Sequence, residues 1–214
     1  MRSSAASDVY KTQKKPLFLA GGGVNIAGAN KAFTELVERT QIPVVTTIMG
    51  RGAIPTTHPL FIGNLGMHGA YASNMAVEEC DLLFSIGTRF NDRITGKLHA
   101  FAPKATIVHI DIDTSSISRN IQVDIPIVAD AKDALAKMSE YVSDYASKKW
   151  NSEINSWKQE HPLVMRPNDR LSPVDIINQI NCQFEEAIIV TDVGQHQMLV
   201  SQYAEITPGK QLVM

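Results

Sequence analysis

The chain has 214 residues, enough for one full domain and a piece of another, since domains cluster at ~100–200 residues. Lys and Arg number 20 against 22 Asp and Glu, a net charge of −2 with no basic stripe, which argues against a surface built for phosphate backbones. Hydrophobic residues make up 44% and charged residues 20%, as in a globular domain with a core, and no apolar run approaches the ~20 residues that a bilayer crossing needs. Cys80 and Cys182 lack a metal-type spacing, so neither a disulfide framework nor a zinc site is expected. Both are read as buried, inert thiols in a reducing, cytoplasmic setting. Residues 1–15 are polar, without the apolar stretch of a signal peptide, and are expected to form a disordered lead-in.

Pro16–Ala20 is a short apolar run that ends in Gly21, Gly22 and Gly23. Ile26, Ala29, Phe33, Leu36 and Val37 follow at helical spacing, so the segment predicts strand, glycine turn and amphipathic helix. Pro43–Thr47 is β-branched and predicts the next strand. The stretch 49–69 carries five glycines, together with Pro55 and Pro59, and is expected as a long irregular loop. Tyr71–Cys80 predicts a helix of small residues. Leu82–Gly87, Thr106–Ile112 and Ile125–Ala129 are continuous apolar runs suited to strands buried on both faces. Asp130 can cap a helix whose Ala131, Ala134, Leu135, Met138, Tyr141, Val142 and Tyr145 form one stripe. Strands alternating with helices imply an α/β fold with a doubly wound parallel sheet and flanking helices.

Composition shifts after Lys148. Trp150, Ile154 and Trp157 suggest a short surface helix, and 148–171 is expected as a linker that clasps the domain at 16–147. A second, incomplete α/β unit spans 172–214, opening at Ser172-Pro173 with a cap and a first-turn proline. Ile176, Ile177, Ile180 and Phe184 are expected to form its buried face. Ala187–Thr191 predicts a buried strand, Gln195–Tyr203 a helix, and a further strand begins as the sequence ends. One strand–helix unit cannot bury its own apolar face, so the chain is expected to be truncated.

A strand leading through glycines into a helix gathers unpaired backbone N–H groups and suits phosphate. The dinucleotide fingerprint G-x-G-x-x-G fails, however, because Gly21-Gly22-Gly23-Val24-Asn25 continues with Ile26, and Thr46–Met49 lacks the expected acid. An ordinary nicotinamide dehydrogenase is disfavoured. The other unusual segments also follow predicted strands, and open parallel sheets bind ligands outside the carboxyl ends of their strands. Together they suggest an extended ligand. His68 reads as a cap or packing residue, His109 as core, Asp113 as a cap for the turn at 115–120, and Asp92 with Arg93 as a wet pair. Neither a nucleophile–base pair nor a metal cluster is formed, so no catalytic residue is assigned here.

Gly21-Gly22-Gly23, the string from Thr47 to Gly52, Gly66-Met67-His68-Gly69, the string from Arg89 to Leu98, the run from His109 to Asp113 and the string from Asp192 to Met198 occur in an order and spacing that resembles the acetolactate synthase family. The similarity covers about residues 15–214, with the Arg89–Leu98 and Gly194–Met198 strings the most specific. Leu199, where the family usually has Trp, and Asn91, where it often has Asp, depart from the pattern. The resemblance implies a flavin-binding central domain and the start of a thiamine-diphosphate-binding domain. The intact parent would be a magnesium-dependent transferase condensing two pyruvates, or pyruvate with 2-oxobutyrate, in branched-chain amino-acid biosynthesis.

By the same resemblance, Gly22, Thr47 and Ile48 would contact FAD, as would Leu65, Gly66, Met67 and His68. So would Gly87, Thr88, Arg89, Phe90 and Asn91. Asp111 with Ile112, and Asp130 with Ala131, would frame the adenosine end. Val193, Gly194, Gln195 and His196 would approach the thiamine diphosphate phosphates. The family implies 2-oxo acid substrates, a homo-oligomeric parent and a separate regulatory subunit, and it leaves this chain alone without activity. Another three-domain thiamine enzyme, of pyruvate oxidase or glyoxylate carboligase type, is one alternative. A stand-alone nucleotide-binding regulator is the other.

Overall fold

The computed structural model describes residues 13–142, 147–164 and 170–214. Most of the lead-in, and Tyr145 of the expected stripe, lie outside the described residues. Lys14 and Lys15, assigned to the lead-in, donate their backbone N–H groups to the Asp81 carboxylate at 2.7 and 2.9 Å.

Six strands form one sheet: β1 (Pro16–Ala20), β2 (Val44–Thr46), β3 (Phe61–Asn64), β4 (Leu82–Ile86), β5 (Thr106–Asp111) and β6 (Ile125–Val128). Their order is β3-β2-β1-β4-β5-β6, and every pairing is parallel. The chain winds outward from β1 to β3, then returns to lay β4 beside β1. The order therefore reverses between β1 and β4, the position where doubly wound sheets open a crevice.

Alternate side chains serve opposite faces, as the pleat requires. Phe18 and Phe84 pack with Phe33, Leu36 and Val37 of α2 (Asn30–Thr40) and with Ala134 and Leu135 of α5 (Ala131–Tyr141). Leu17, Leu19 and Leu83 pack on the other face with Ala72, Ala76 and Val77 of α3 (Tyr71–Glu79) and with Trp150 and Ile154 of α6 (Lys148–Glu160). The indole Nε1 of Trp150 donates to the Pro16 carbonyl at 3.0 Å. The helix expected to lie on the surface is thus a full layer of the core.

Several expectations need correction. The 49–69 stretch is not wholly irregular, because β3 lies within it and pairs with β2. Its register shifts between Val44↔Phe61 and Val45↔Gly63, so glycine and irregular pairing hide the alternation that marks a strand. The predicted helix after the glycines is two helices, α1 (Gly22–Ile26) and α2, and Ile26 is 89% exposed instead of buried. The break moves Ile26 out of phase with Phe33 and Leu36. In α5, Tyr141 is exposed at the last turn. Cys80 is buried as expected, but Cys182 is exposed.

The second unit comprises α7 (Pro173–Gln183), β7 (Ala187–Val190), α8 (Gln195–Tyr203) and β8 (Lys210–Val213), with β7 and β8 parallel. Ser172 and Asp175 form a complete capping box with Pro173 in the first turn. Ile177, Ala204 and Ile206 form a small core. Ile176, Phe184, Ile188 and Val190, expected to be buried, are exposed because a two-stranded ribbon with two helices covers little of itself.

This unit docks on the free edge of β3. Thr56 N–H donates to the Ile206 carbonyl and Ile206 N–H to the Thr56 hydroxyl, both at 2.9 Å. Asn64 Nδ2 donates to the Ser201 carbonyl at 2.7 Å, and Gln202 Nε2 to the His68 carbonyl at 2.8 Å. Covering an edge strand removes a template for unwanted pairing.

Candidate functional site

Because all six strands run parallel, their carboxyl ends share one edge. The segments that follow them are the ones singled out in the sequence: Gly21–Gly23, Thr47–Gly50, Leu65–Gly69, Gly87–Asn91, Ile112–Asp113 and Ala129–Ala131. Val193, Gly194, Gln195 and His196 stand apart, leading into α8 of the second unit.

The central crossing is at the reversal point. Gly21 N–H donates to the Ile86 carbonyl at 2.9 Å and Gly23 N–H to the Gly87 carbonyl at 3.1 Å. A Cβ on Gly23 would lie 2.6 Å from the Gly87 Cα, and Gly87 itself has φ +60°. Only glycine tolerates that approach and that dihedral. Gly21, Gly23 and Gly87 therefore serve the backbone crossing. Gly22 sits over Met49, with a Cβ position 3.2 Å from the Met49 Cβ.

Neighbouring tips are tied laterally. Thr47 N–H donates to the Ala20 carbonyl at 3.0 Å, and its hydroxyl accepts from Gly50 N–H at 3.0 Å. Asn25 Nδ2 bridges the Met49 and Arg51 carbonyls, at 3.0 Å each, and Asn30 Nδ2 reaches the Gly52 carbonyl at 2.7 Å. Asn74 exchanges hydrogen bonds with the main chain of Gly66 at 2.9 and 3.2 Å, while Met67 N–H donates to the Arg93 carbonyl at 2.9 Å. Sequence reasoning missed these asparagines. Asn25 lies in α1, Asn30 opens α2 and Asn74 lies in α3, each within a few residues of a glycine-bearing segment, and that was the available signal, since the short amide side chain bonds main chain that no ladder satisfies.

Phe90 adopts φ +48°, rare for a bulky residue. Its surroundings hold it there. The ring is buried edge-on to Phe101 and His109, with centroids 5.7 and 4.9 Å away, and Asn120 Nδ2 donates to its carbonyl at 2.9 Å. Local strain maintained by packing fixes the directions of the flanking residues. Arg89 and Asn91, on either side, are exposed, and Asn91 leads into the short helix α4 (Asp92–Thr95).

Leu65, Thr88 and Ala131 are buried like Phe90, so their side chains serve packing. Ile48, Gly66 and Gly87 are half-buried, and Met67, His68 and Ile112 are exposed. Ile26, Met49 and Val128 add to this apolar exposure near the strand ends. Asp130 caps α5, accepting from Lys132 N–H at 2.8 Å. Asp111 accepts from Asp113 N–H at 2.9 Å. Asp113 caps its turn as expected, and hydrogen bonds from Ser115 and Ser116 hold its carboxyl below the usual carboxylate range. Desolvation pushes the Cys80 thiol up to about 12, which leaves it inert. His109 is core. At the second unit, Val193 is 84% exposed, and Gly194 starts α8 without a side-chain cap.

The family model described as thiamine pyrophosphate enzyme, central domain, matches residues 4–138. The chain belongs to this family. It is also 40% identical over 210 residues to the acetolactate synthase large subunit of Parasynechococcus marenigrum (strain WH8102), covering 96% of this chain and 34% of that protein. Against the acetolactate synthase large subunit of Lactococcus lactis subsp. lactis (strain IL1403), identity is 40% over 205 residues, with coverage of 94% and 35%. Against the acetolactate synthase isozyme 3 large subunit of Escherichia coli (strain K12), it is 38% over 199 residues, with coverage of 89% and 35%. The chain spans about a third of the length of these relatives. No group of three or more His, Cys, Asp or Glu among the described residues is arranged to hold a metal ion. Nor is any described helix long and apolar enough to cross a membrane.

Proposed function

We propose that this chain is the central part of an acetolactate synthase large subunit, joined to the opening of the thiamine-diphosphate-binding domain. The observation that carries the reading is the similarity to such subunits over nearly the whole chain. The parent then condenses two pyruvates, or pyruvate with 2-oxobutyrate, beside a smaller regulatory subunit, as a homo-oligomer in the cytoplasm.

The strand-end edge supports a reading in which FAD is bound. Exposed Ile26, Met49, Met67 and Ile112 offer apolar contact to a flat ring, at about 25 cal/mol for each Å² removed from water. Gly22, Gly87, Arg89 and Asn91 follow β1 and β4 at the reversal point, Thr47 and Gly66 follow β2 and β3 on one side, and Asp111 and Asp130 stand at the ends of β5 and β6 on the other, a row that an extended ligand could span. Buried Leu65, Thr88, Phe90 and Ala131 shape that surface from below. Gly194, Gln195 and His196 offer main-chain N–H groups at the start of α8 to the diphosphate, beside Val193, whose own N–H donates to the Asp192 carboxylate at 2.7 Å. Thiamine diphosphate and its magnesium, when bound, supply the nucleophilic carbon and electron sink for decarboxylation. The residues of this chain bind and orient.

The test is a chimera in which this chain replaces the matching third of the Lactococcus lactis large subunit. Acetolactate formation from pyruvate is expected. A folded chimera that binds flavin yet makes no acetolactate refutes the reading.

A further inference from the structure

Arg51 leaves the 3₁₀ turn Ile48–Gly50 and is only 5% exposed. Its Nη2 donates to the Ala204 carbonyl and its Nη1 to Asn64 Oδ1 at 3.3 Å, while Cζ lies 5.7 Å from the centre of the Phe61 ring. Nε has no hydrogen-bond partner. Among the described residues no carboxylate neutralises this guanidinium, and burial alone lowers its pKa to about 10. A desolvated cation without a counter-ion is costly, and buried charges are ordinarily paired.

Arg51 lines a cavity of about 310 Å³ between the β3 edge, the end of α6 and the end of α8. Lys158, half-buried, lines the same cavity and donates its Nζ to the Phe61 carbonyl at 3.1 Å. Two cations therefore contact one residue, Arg51 over the Phe61 ring and Lys158 on its main chain. Desolvation also lowers the Lys158 pKa. His68 and His161 add potential cations at exposed positions, and Glu205, the one carboxylate on the lining, is exposed. The cavity is near the small end of ligand pockets, room for a compact molecule only. The guanidinium fork matches the paired oxygens of a carboxylate or a phosphate.

We infer that this cavity is a binding site for a small oxyanion, a phosphate or a short carboxylate, held between Arg51 and Lys158 beside Phe61. The site shares only His68 with the flavin reading, and its test uses neither flavin nor thiamine diphosphate.

The 214-residue chain is titrated with inorganic phosphate and, separately, with acetate, at constant ionic strength set by chloride. The thermal midpoint and the Arg51 Nε–H resonance are followed. A saturable rise with phosphate identifies a phosphate site, a saturable rise with acetate a carboxylate site, and either supports the inference. Lys158→Gln is expected to weaken the response at least about tenfold, as losing one partner of a desolvated charge pair does. Arg51→Gln is expected to abolish it. Should Arg51→Gln fail to fold, Lys158→Gln decides alone. A midpoint and resonance that respond to neither anion, or a response that Lys158→Gln leaves unchanged, overturns the inference.

Discussion

His109 Nε2 lies 2.7 Å from the Thr88 carbonyl oxygen, deep in the sheet where β5 meets the tip of β4. The contact requires a proton on Nε2, and Nδ1 is buried without a partner. Burial pushes the His109 pKa down, with smaller upward pulls from the Thr88 carbonyl and Asp111. This histidine thus holds the Thr88–Phe90 turn while neutral. In the unfolded chain it protonates near pH ~6.5, above its folded value. Below that pH the unfolded state binds more protons, so stability falls as the solution is acidified. His58, also lowered by burial, acts with the same sign. The urea midpoint is expected to drop between pH 7 and pH 5, about where unperturbed imidazole titrates. The drop should be shallower in His109→Gln, and equal slopes would count against the assignment. Asp113, whose carboxyl is held low by Ser115 and Ser116, contributes in a separate and more acid window, its stabilisation being lost as pH falls below the ordinary carboxylate range.

Gly87→Ala is expected to destabilise the chain well beyond the ~1 kcal/mol that a left-handed alanine costs. The added methyl would meet the Gly23 Cα at 2.5 Å, with main chain on both sides and nothing flexible to give way. Gly96→Ala is the matched control, because Gly96 has φ +56° but open space around it. Equal losses in urea denaturation for the two variants would show that the crossing is looser than described.

Trp150→Ala should cost about 3–5 kcal/mol, the range for truncating a buried aromatic residue. The indole is fully buried, bonded to Pro16 and edge-on to Trp157 at 5.7 Å. Val193→Ala, at an exposed position, should stay within about 0.5 kcal/mol. Equilibrium denaturation of both variants checks whether α6 belongs to the sheet's core or merely clasps it.

The 214-residue chain alone is expected to form no acetolactate from pyruvate, because it spans about a third of the length of the large subunits it resembles. Flavin is expected at well below one equivalent, since the edge carrying Ile26 and Met67 is open to solvent and a ring lying on it would keep its other face in water. A colorimetric acetolactate assay and the visible absorbance of the purified protein test the two statements. Stoichiometric flavin would show that the strand tips suffice to hold it.

Much of the fold was legible because its signals are local. Leu17 and Leu19 against Phe18 and Ala20 declare a strand buried on both faces, Asp130 declares a helix start, and Ser172-Pro173 does the same for α7. The strand-end clustering of the candidate site followed from the parallel alternation alone. Phe61–Asn64 was not legible, since its glycine and shifted register erase the period by which strands are read. Ile26, Tyr141, Ile176 and Phe184 share the composition of core residues but end exposed. Helix breaks and a thin second unit, not residue type, decide their fate.

By itself the sequence determined the succession of strands, turns and helices, the caps that start them and the class of sheet they build. Those depend on residues a few positions apart, whose hydrogen bonds and side-chain periods act before any long-range contact forms. The tertiary structure alone decided that Trp150 closes a face over Pro16, that Thr88 leans on His109, and that Arg51 is buried against Ala204. Each partner is far away along the chain, so the desolvation and packing that set its role exist only once the sheet has assembled.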